Sequence, residues 1–166
     1  VKRVGAAVGS LVWLLVAPGV VSGLVPWWIN GWEIQSDSAW WLPIQVLGVA
    51  MIIASVFVLL HAFARFAIDG LGTPAPVAPT EHLVVTGLYR HVRNPMYVAV
   101  VALIVGQAML FVDPALLLYA VAIAAVSVGF VRAYEEPTLQ RQFGPEYDAY
   151  RSAVPGWWPR RRGWSP

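Results

Sequence analysis

The stretch Leu42–Phe63, LPIQVLGVAMIIASVFVLLHAF, runs for 22 residues without an acid, lysine or arginine, and its reading decides the fold. A helix rises 1.5 Å per residue, so about 20 apolar residues cross a hydrocarbon core of roughly 30 Å. Three more stretches are of the same kind: Val4–Val25 with 22 residues, Met96–Val112 with 17 and Pro114–Val131 with 18. Only Asp113 separates the last two, which predicts a tight helical hairpin. Backbone groups in lipid must pair among themselves, so such runs are helices. The expected fold is all-α integral membrane, with about four transmembrane helices and a cytoplasmic C-terminal helical cap. One domain is expected over 1–166: the first two spans in 1–63, a cytoplasmic loop in 64–95, the hairpin in 96–131 and a cytoplasmic tail in 132–166.

Composition agrees. Hydrophobic residues make up 58% and charged residues 12% of 166 residues, with a mean hydropathy of +0.64. Soluble globular chains carry about 25% charged residues, so an ordinary soluble or disordered protein is excluded. The absence of cysteine excludes disulfide scaffolds, thiol nucleophiles and thiolate metal sites. Lys2 and Arg3 precede the first run as in a secretory leader. That run is too long for one and no small-residue cleavage site closes it, so it is expected to be a retained helix, kinked at Pro18.

The 11 lysines and arginines set the orientation. With four spans, all of them fall on one side, whereas the loops at Pro26–Trp41 and Asp113 hold Glu33 and Asp37 and no basic residue. The positive-inside rule then places both termini and the Ala64–Pro95 loop in the cytoplasm, at what is expected to be a prokaryotic plasma membrane. The net charge of +2 therefore reports topology and contact with membrane lipids, and nucleic acid is not an expected partner. Trp27, Trp28, Trp32, Trp40 and Trp41 bracket the outer loop, and Trp157, Trp158 and Trp164 lie among the C-terminal arginines. Both groups suit interfacial belts.

Chemistry is sought in the two polar segments. The first begins with a Gly/Pro-rich connector, Gly70–Pro79, followed by an extended piece at His82–Val85 and a turn at Thr86-Gly87. Asn94 and Pro95 are placed to cap and start the third span. In the second segment Pro137 is expected to start a short helix, Gly144 to end it, and Pro145 to begin another carrying Tyr147 and Tyr150. No phosphate loop, dinucleotide fingerprint, nucleophile elbow or HExxH pair occurs, and His61, His82 and His91 are too scattered for a metal site.

Two gapped patterns remain. Gly87–Tyr97, GLYRHVRNPMY, resembles the G-x-Y-x-x-x-R-[HN]-P-x-Y signature of the integral-membrane methyltransferases, which include isoprenylcysteine carboxyl methyltransferases and phospholipid methyltransferase-like proteins. Glu135–Leu139 (EEPTL), Phe143–Tyr150 (FGPEYDAY) and Val154-Pro155 resemble that family's second signature, in the same order after a hairpin. The resemblance covers about Thr80 to Pro159 and implies S-adenosylmethionine as methyl donor, bound at the cytoplasmic face. It also implies a lipophilic small-molecule or lipid-anchored acceptor arriving laterally from the bilayer. By carry-over the cofactor residues are Glu81, His82, Leu83, Val84, Tyr89, Asn94, Pro95, Met96, Tyr97 and Glu135, while Arg132 and Arg93 are candidate acceptor contacts. Asn94 stands where many relatives have histidine. Val131 stands where the eukaryotic carboxyl methyltransferases have an arginine.

The chemistry of the donor fits these residue types. A carboxylate such as Glu135 suits ribose hydroxyls or the ammonium. The helix start at Asn94-Pro95 offers amides to the donor's carboxylate. Tyr89 and Tyr97 suit the sulfonium or the adenine. The acceptor, a carboxylate, an amine or another group, stays open. A second reading is a non-enzymatic membrane protein that binds lipid or a partner through its basic cap. A carboxylate at 135 in a nucleotide-sized pocket beside Tyr89 and Tyr97 separates the two.

Overall fold

The computed structural model describes residues 12, 16–36, 38–69 and 82–165. Half of the first predicted span, Lys2, Arg3, Asp37, the whole Gly70–Pro79 connector and Glu81 lie outside the described residues. Within them the chain is helical and has no strand. A π-helical turn, Val20–Leu24, leads into α1 (Val25–Asn30). After a 3₁₀ turn at Ala39–Trp41 comes α2 (Leu42–Asp69). A second 3₁₀ turn, Gly87–Arg90, precedes α3 (Pro95–Phe111) and α4 (Pro114–Phe130). A second π turn, Val131–Glu135, joins α4 to α5 (Glu136–Phe143), and α6 (Pro145–Ala153) follows.

Among the described residues two helical stretches are long and apolar enough to cross a membrane, Ala39–Arg65 and Pro114–Phe143; α3 is shorter at 17 residues. On one face of α2, Val46, Leu47, Ile53, Phe57 and Leu60 are exposed, as are Trp27, Trp28, Trp32 and Trp40 around the connection from α1 to α2. That is the pattern of a lipid-facing surface rather than of a water-facing one.

Its opposite face meets α3 backbone to backbone. A Cβ on Gly48 would stand 2.7 Å from the Gly106 carbonyl oxygen and 2.8 Å from the Leu110 nitrogen. Small residues permit this approach where lipid supplies no hydrophobic drive. The hairpin between α3 and α4 turns on Val112, which is left-handed at φ 57°, and on Asp113, whose Oδ1 accepts from the Ala115 amide at 2.7 Å. Asp113 Oδ2 also accepts from Asn30 Nδ2 at 2.7 Å, tying the end of α1 to the hairpin.

Both π turns have the same cause in the sequence. Each is followed, two residues on, by a proline: Pro26 after Leu24 and Pro137 after Glu135. Proline lacks the amide hydrogen and its ring presses on the carbonyl four residues back, so the helix loosens into i→i+5 bonding instead of stopping. Val25 N–H thus reaches the Val20 carbonyl, and Glu136 N–H reaches that of Val131. The helix expected to begin afresh at Pro137 is instead the continuation of the fourth apolar run, carried past the proline by its π turn. At the first turn the Ser22 carbonyl, left without Pro26 as donor, accepts from Gln107 Nε2 at 2.7 Å, and Tyr119 Oη donates to the Val21 carbonyl at 2.8 Å. These two bonds seat α1's approach against α3 and α4.

Candidate functional site

The loop between α2 and α3 is pinned first by Gly87. Its φ of 57° is the left-handed turn that favours glycine, and a Cβ there would meet His61 Nε2 at 2.7 Å. The turn therefore lies directly on α2 and drops Tyr89 into a core with Ala62 and Val84. From Tyr89 the chain runs through Arg93 and Asn94 into Pro95, the first residue of α3. Asn94 occupies the N-cap position as expected, but its side chain makes no capping bond.

The C-terminal tail folds back on this loop as a strap. Arg93 N–H donates to the Pro155 carbonyl at 2.9 Å and Asn94 N–H to that of Gly156 at 3.1 Å. Further along, Arg160 N–H donates to the His91 carbonyl and Trp164 N–H to that of Arg90, each at 2.9 Å. The Arg93 guanidinium bolts the arrangement: Nη1 donates to Glu136 Oε1 at 2.7 Å and to Tyr147 Oη at 3.1 Å, and Nε donates to the Val154 carbonyl at 2.9 Å. Arg151 Nη2 takes the other Glu136 oxygen at 3.1 Å. Tyr150 Oη donates to the Tyr89 carbonyl at 2.7 Å. Burial holds the phenols of Tyr89, Tyr147 and Tyr150 above their ordinary range, against the pull of Arg93 on the last two, so all three stay neutral and keep their donor hydrogens.

Between loop, strap and helices lies a cavity of about 390 Å³, inside the ~300–1,000 Å³ usual for small-molecule sites. Eight of the expected cofactor residues line it: Leu83, Val84, Tyr89, Asn94, Pro95, Met96, Tyr97 and Glu135. At its polar end Tyr97 Oη donates to Glu135 Oε2 at 2.9 Å, and Trp157 leans on Tyr97 with ring centroids 6.4 Å apart. Asn94 is 8% exposed, and its Nδ2 has no hydrogen-bond partner. A buried amide donor left unpaired costs about 1–3 kcal/mol, so a ligand acceptor at that atom would repay its burial. Away from Glu135 the same cavity becomes an apolar crevice between the chain before α1 and α4, walled by Pro18, Val21, Ile123, Val126 and Phe130.

The remaining expected residues are placed otherwise. His82 is exposed and does not line the cavity, and Glu81 lies outside the described residues. Arg93 lines the cavity, yet its Nε and Nη1 are engaged by Val154, Glu136 and Tyr147. Arg132 is exposed and lines a separate, shallower cleft. Sequence reasoning did not put Leu139, Tyr147 and Tyr150 in the site, although they line it from the tail. The signal was available in Tyr147 and Tyr150, aromatics three apart on a helix, which share one face. No cluster of three or more metal-ligating side chains occurs among the described residues.

A family model described as phospholipid methyltransferase matches residues 43–146, from the second residue of α2 to the second of α6. The match takes in every expected site residue and leaves Tyr147, Tyr150 and the strap beyond its end. Comparison with curated proteins finds no match.

Proposed function

The chain belongs to the phospholipid methyltransferase family, and from that premise we propose that it moves a methyl group from S-adenosylmethionine to a lipophilic acceptor at the cytoplasmic face of the membrane. The observation that carries this reading is one cavity with two ends: Glu135 and Tyr97 at a polar end, and an apolar crevice at the other. A soluble donor and a lipid-borne acceptor need such a junction, and a lipid-binding cap alone gives no reason for a carboxylate there.

The donor supplies an activated methyl on a sulfonium. The chain's residues do the binding and positioning. Glu135 is the acceptor for ribose hydroxyls or the ammonium, and the Tyr97 hydrogen bond fixes its rotamer. Asn94 Nδ2 and the first amides of α3 would hold the donor's carboxylate. Tyr89, Met96 and the Leu83–Val84 segment wall the pocket, and the strap held by Arg93 keeps water out. An in-line displacement gains chiefly from such positioning and from exclusion of water. The acceptor's chain lies in the crevice beside Pro18, Val21 and Phe130, with its reacting end toward Glu135.

Four spans with both termini inside frame this proposal, supported by the one-sided distribution of lysine and arginine. The test is calorimetric titration of S-adenosylhomocysteine into detergent-solubilised protein. Glu135→Gln keeps shape and removes charge, and should weaken binding by about 1.5–3 kcal/mol, the scale of a hydrogen bond to a charged group. Unchanged affinity would overturn the cofactor assignment.

A further inference from the structure

On the other side of Glu136 from this cavity lies a second cleft of about 320 Å³, lined by Arg132, Glu136, Pro137, Gln140, Arg141 and Arg151. We propose that it binds a phosphate-bearing anion, independently of methyl transfer. Three guanidiniums converge on it and one carboxylate, Glu136, faces them. That carboxylate is already engaged on both oxygens, by Arg93 and by Arg151. The nearby acid Asp148 accepts from Gln140 Nε2 at 2.7 Å, and Arg141 Nη2 meets only the neutral Thr138 hydroxyl, at 3.1 Å. Among the described residues no carboxylate pairs with Arg132 or Arg141.

Like charges held together this way repel, and a phosphate relieves the repulsion. Its oxygens match the guanidinium fork, and the bonds are charge-assisted. Depth adds to the case. Arg132 comes two residues after α4, whose 17 residues run from the hairpin at Asp113. At 1.5 Å per residue that rod covers about 26 Å, so the cleft opens near the level of lipid headgroups. A phosphodiester of an anionic lipid and a soluble phosphate share the chemistry, and depth favours the lipid. The proposal requires nothing of the methyl-transfer reading.

Full-length protein in a neutral detergent would be titrated calorimetrically with dihexanoyl-phosphatidylglycerol, inorganic phosphate and dihexanoyl-phosphatidylcholine. Saturable binding of the first is expected, weakened about tenfold or more in Arg132→Gln/Arg141→Gln through loss of two charge-assisted donors. Both side chains are exposed, so unliganded thermal unfolding of that variant should match wild type. Arg161→Gln/Arg162→Gln removes the same charge elsewhere on the exposed tail and should bind as wild type. Phosphatidylglycerol binding tighter than phosphate assigns the site to lipid, and the reverse assigns it to a soluble anion. Three results would overturn the site: no saturable binding of either anion, equal binding of phosphatidylcholine, or equal losses in the two double variants.

Discussion

The apolar half of the molecule and the polar cap that the C-terminal strap makes over the α2–α3 loop are held together in opposite ways. Between α2 and α3 the contact is backbone on backbone at Gly48 and Gly106, and of the few polar bonds in this half those from Gln107 and Tyr119 are aimed at carbonyls of the first π turn. In the cap a single guanidinium, Arg93, serves a carboxylate, a phenol and a backbone carbonyl, and the strap adds backbone bonds on either side of it. Lipid gives no reward for burying apolar surface, so fit must do the work there. Water rewards nothing polar that it can solvate equally well, so the cap relies on charges sheltered enough to strengthen. The candidate site sits on the seam, with Tyr97 from the first region and Glu135 at the start of the second.

The contrast predicts a ranking of damage. Arg93→Ala leaves Glu136, whose side chain is 13% exposed, with only the half-exposed Arg151 as partner, and should cost about 3 kcal/mol, the low end of the range for breaking a sheltered ion pair by removing one partner. Thermal unfolding in detergent reads the loss, and S-adenosylhomocysteine binding should fall with it. Gly48→Ala comes next, at about 1–3 kcal/mol, because the new methyl meets backbone that cannot rotate away. Its effect should appear in unfolding while affinity per folded molecule holds. A loss of affinity without a loss of stability would mean that the two regions are coupled more tightly than the contacts suggest.

Gln107→Leu is the mildest of the three. It leaves the Ser22 carbonyl without its donor, and side-chain hydrogen bonds inside membranes average about 0.6 kcal/mol. Tyr119→Phe, removing the bond to Val21, should match it within a few tenths of a kcal/mol by the same reasoning. A cost for either that reaches the Arg93→Ala value would collapse the distinction between the halves.

The elements were legible because proline and aspartate punctuate them. Asn94-Pro95, Asp113-Pro114 and Gly144-Pro145 each mark a helix start in the sequence and in the structure. The grouping of Tyr89, Asn94, Tyr97 and Glu135 was legible only through the resemblance, since no spacing rule joins residues 38 apart. What escaped was the continuation through Pro137, where proline reads as a boundary and the π turn makes it an interior residue. The commitment of Arg93 escaped for a different reason: its partners come from two later helices and from a stretch without regular structure.

That second π turn turns residue number into information. Five residues, Val131–Glu135, occupy a loop of helix that an α-turn would fill with one fewer, and each α-helical residue advances the face by about 100°. Glu135 meets Tyr97 and Glu136 meets Arg93 because of this count. Exchanging Ala133 for another small residue keeps the phase, whereas deleting it would swing the acidic pair round by one place. In a gapless alignment with a chain that lacks the turn, the wrong glutamate would face the cavity.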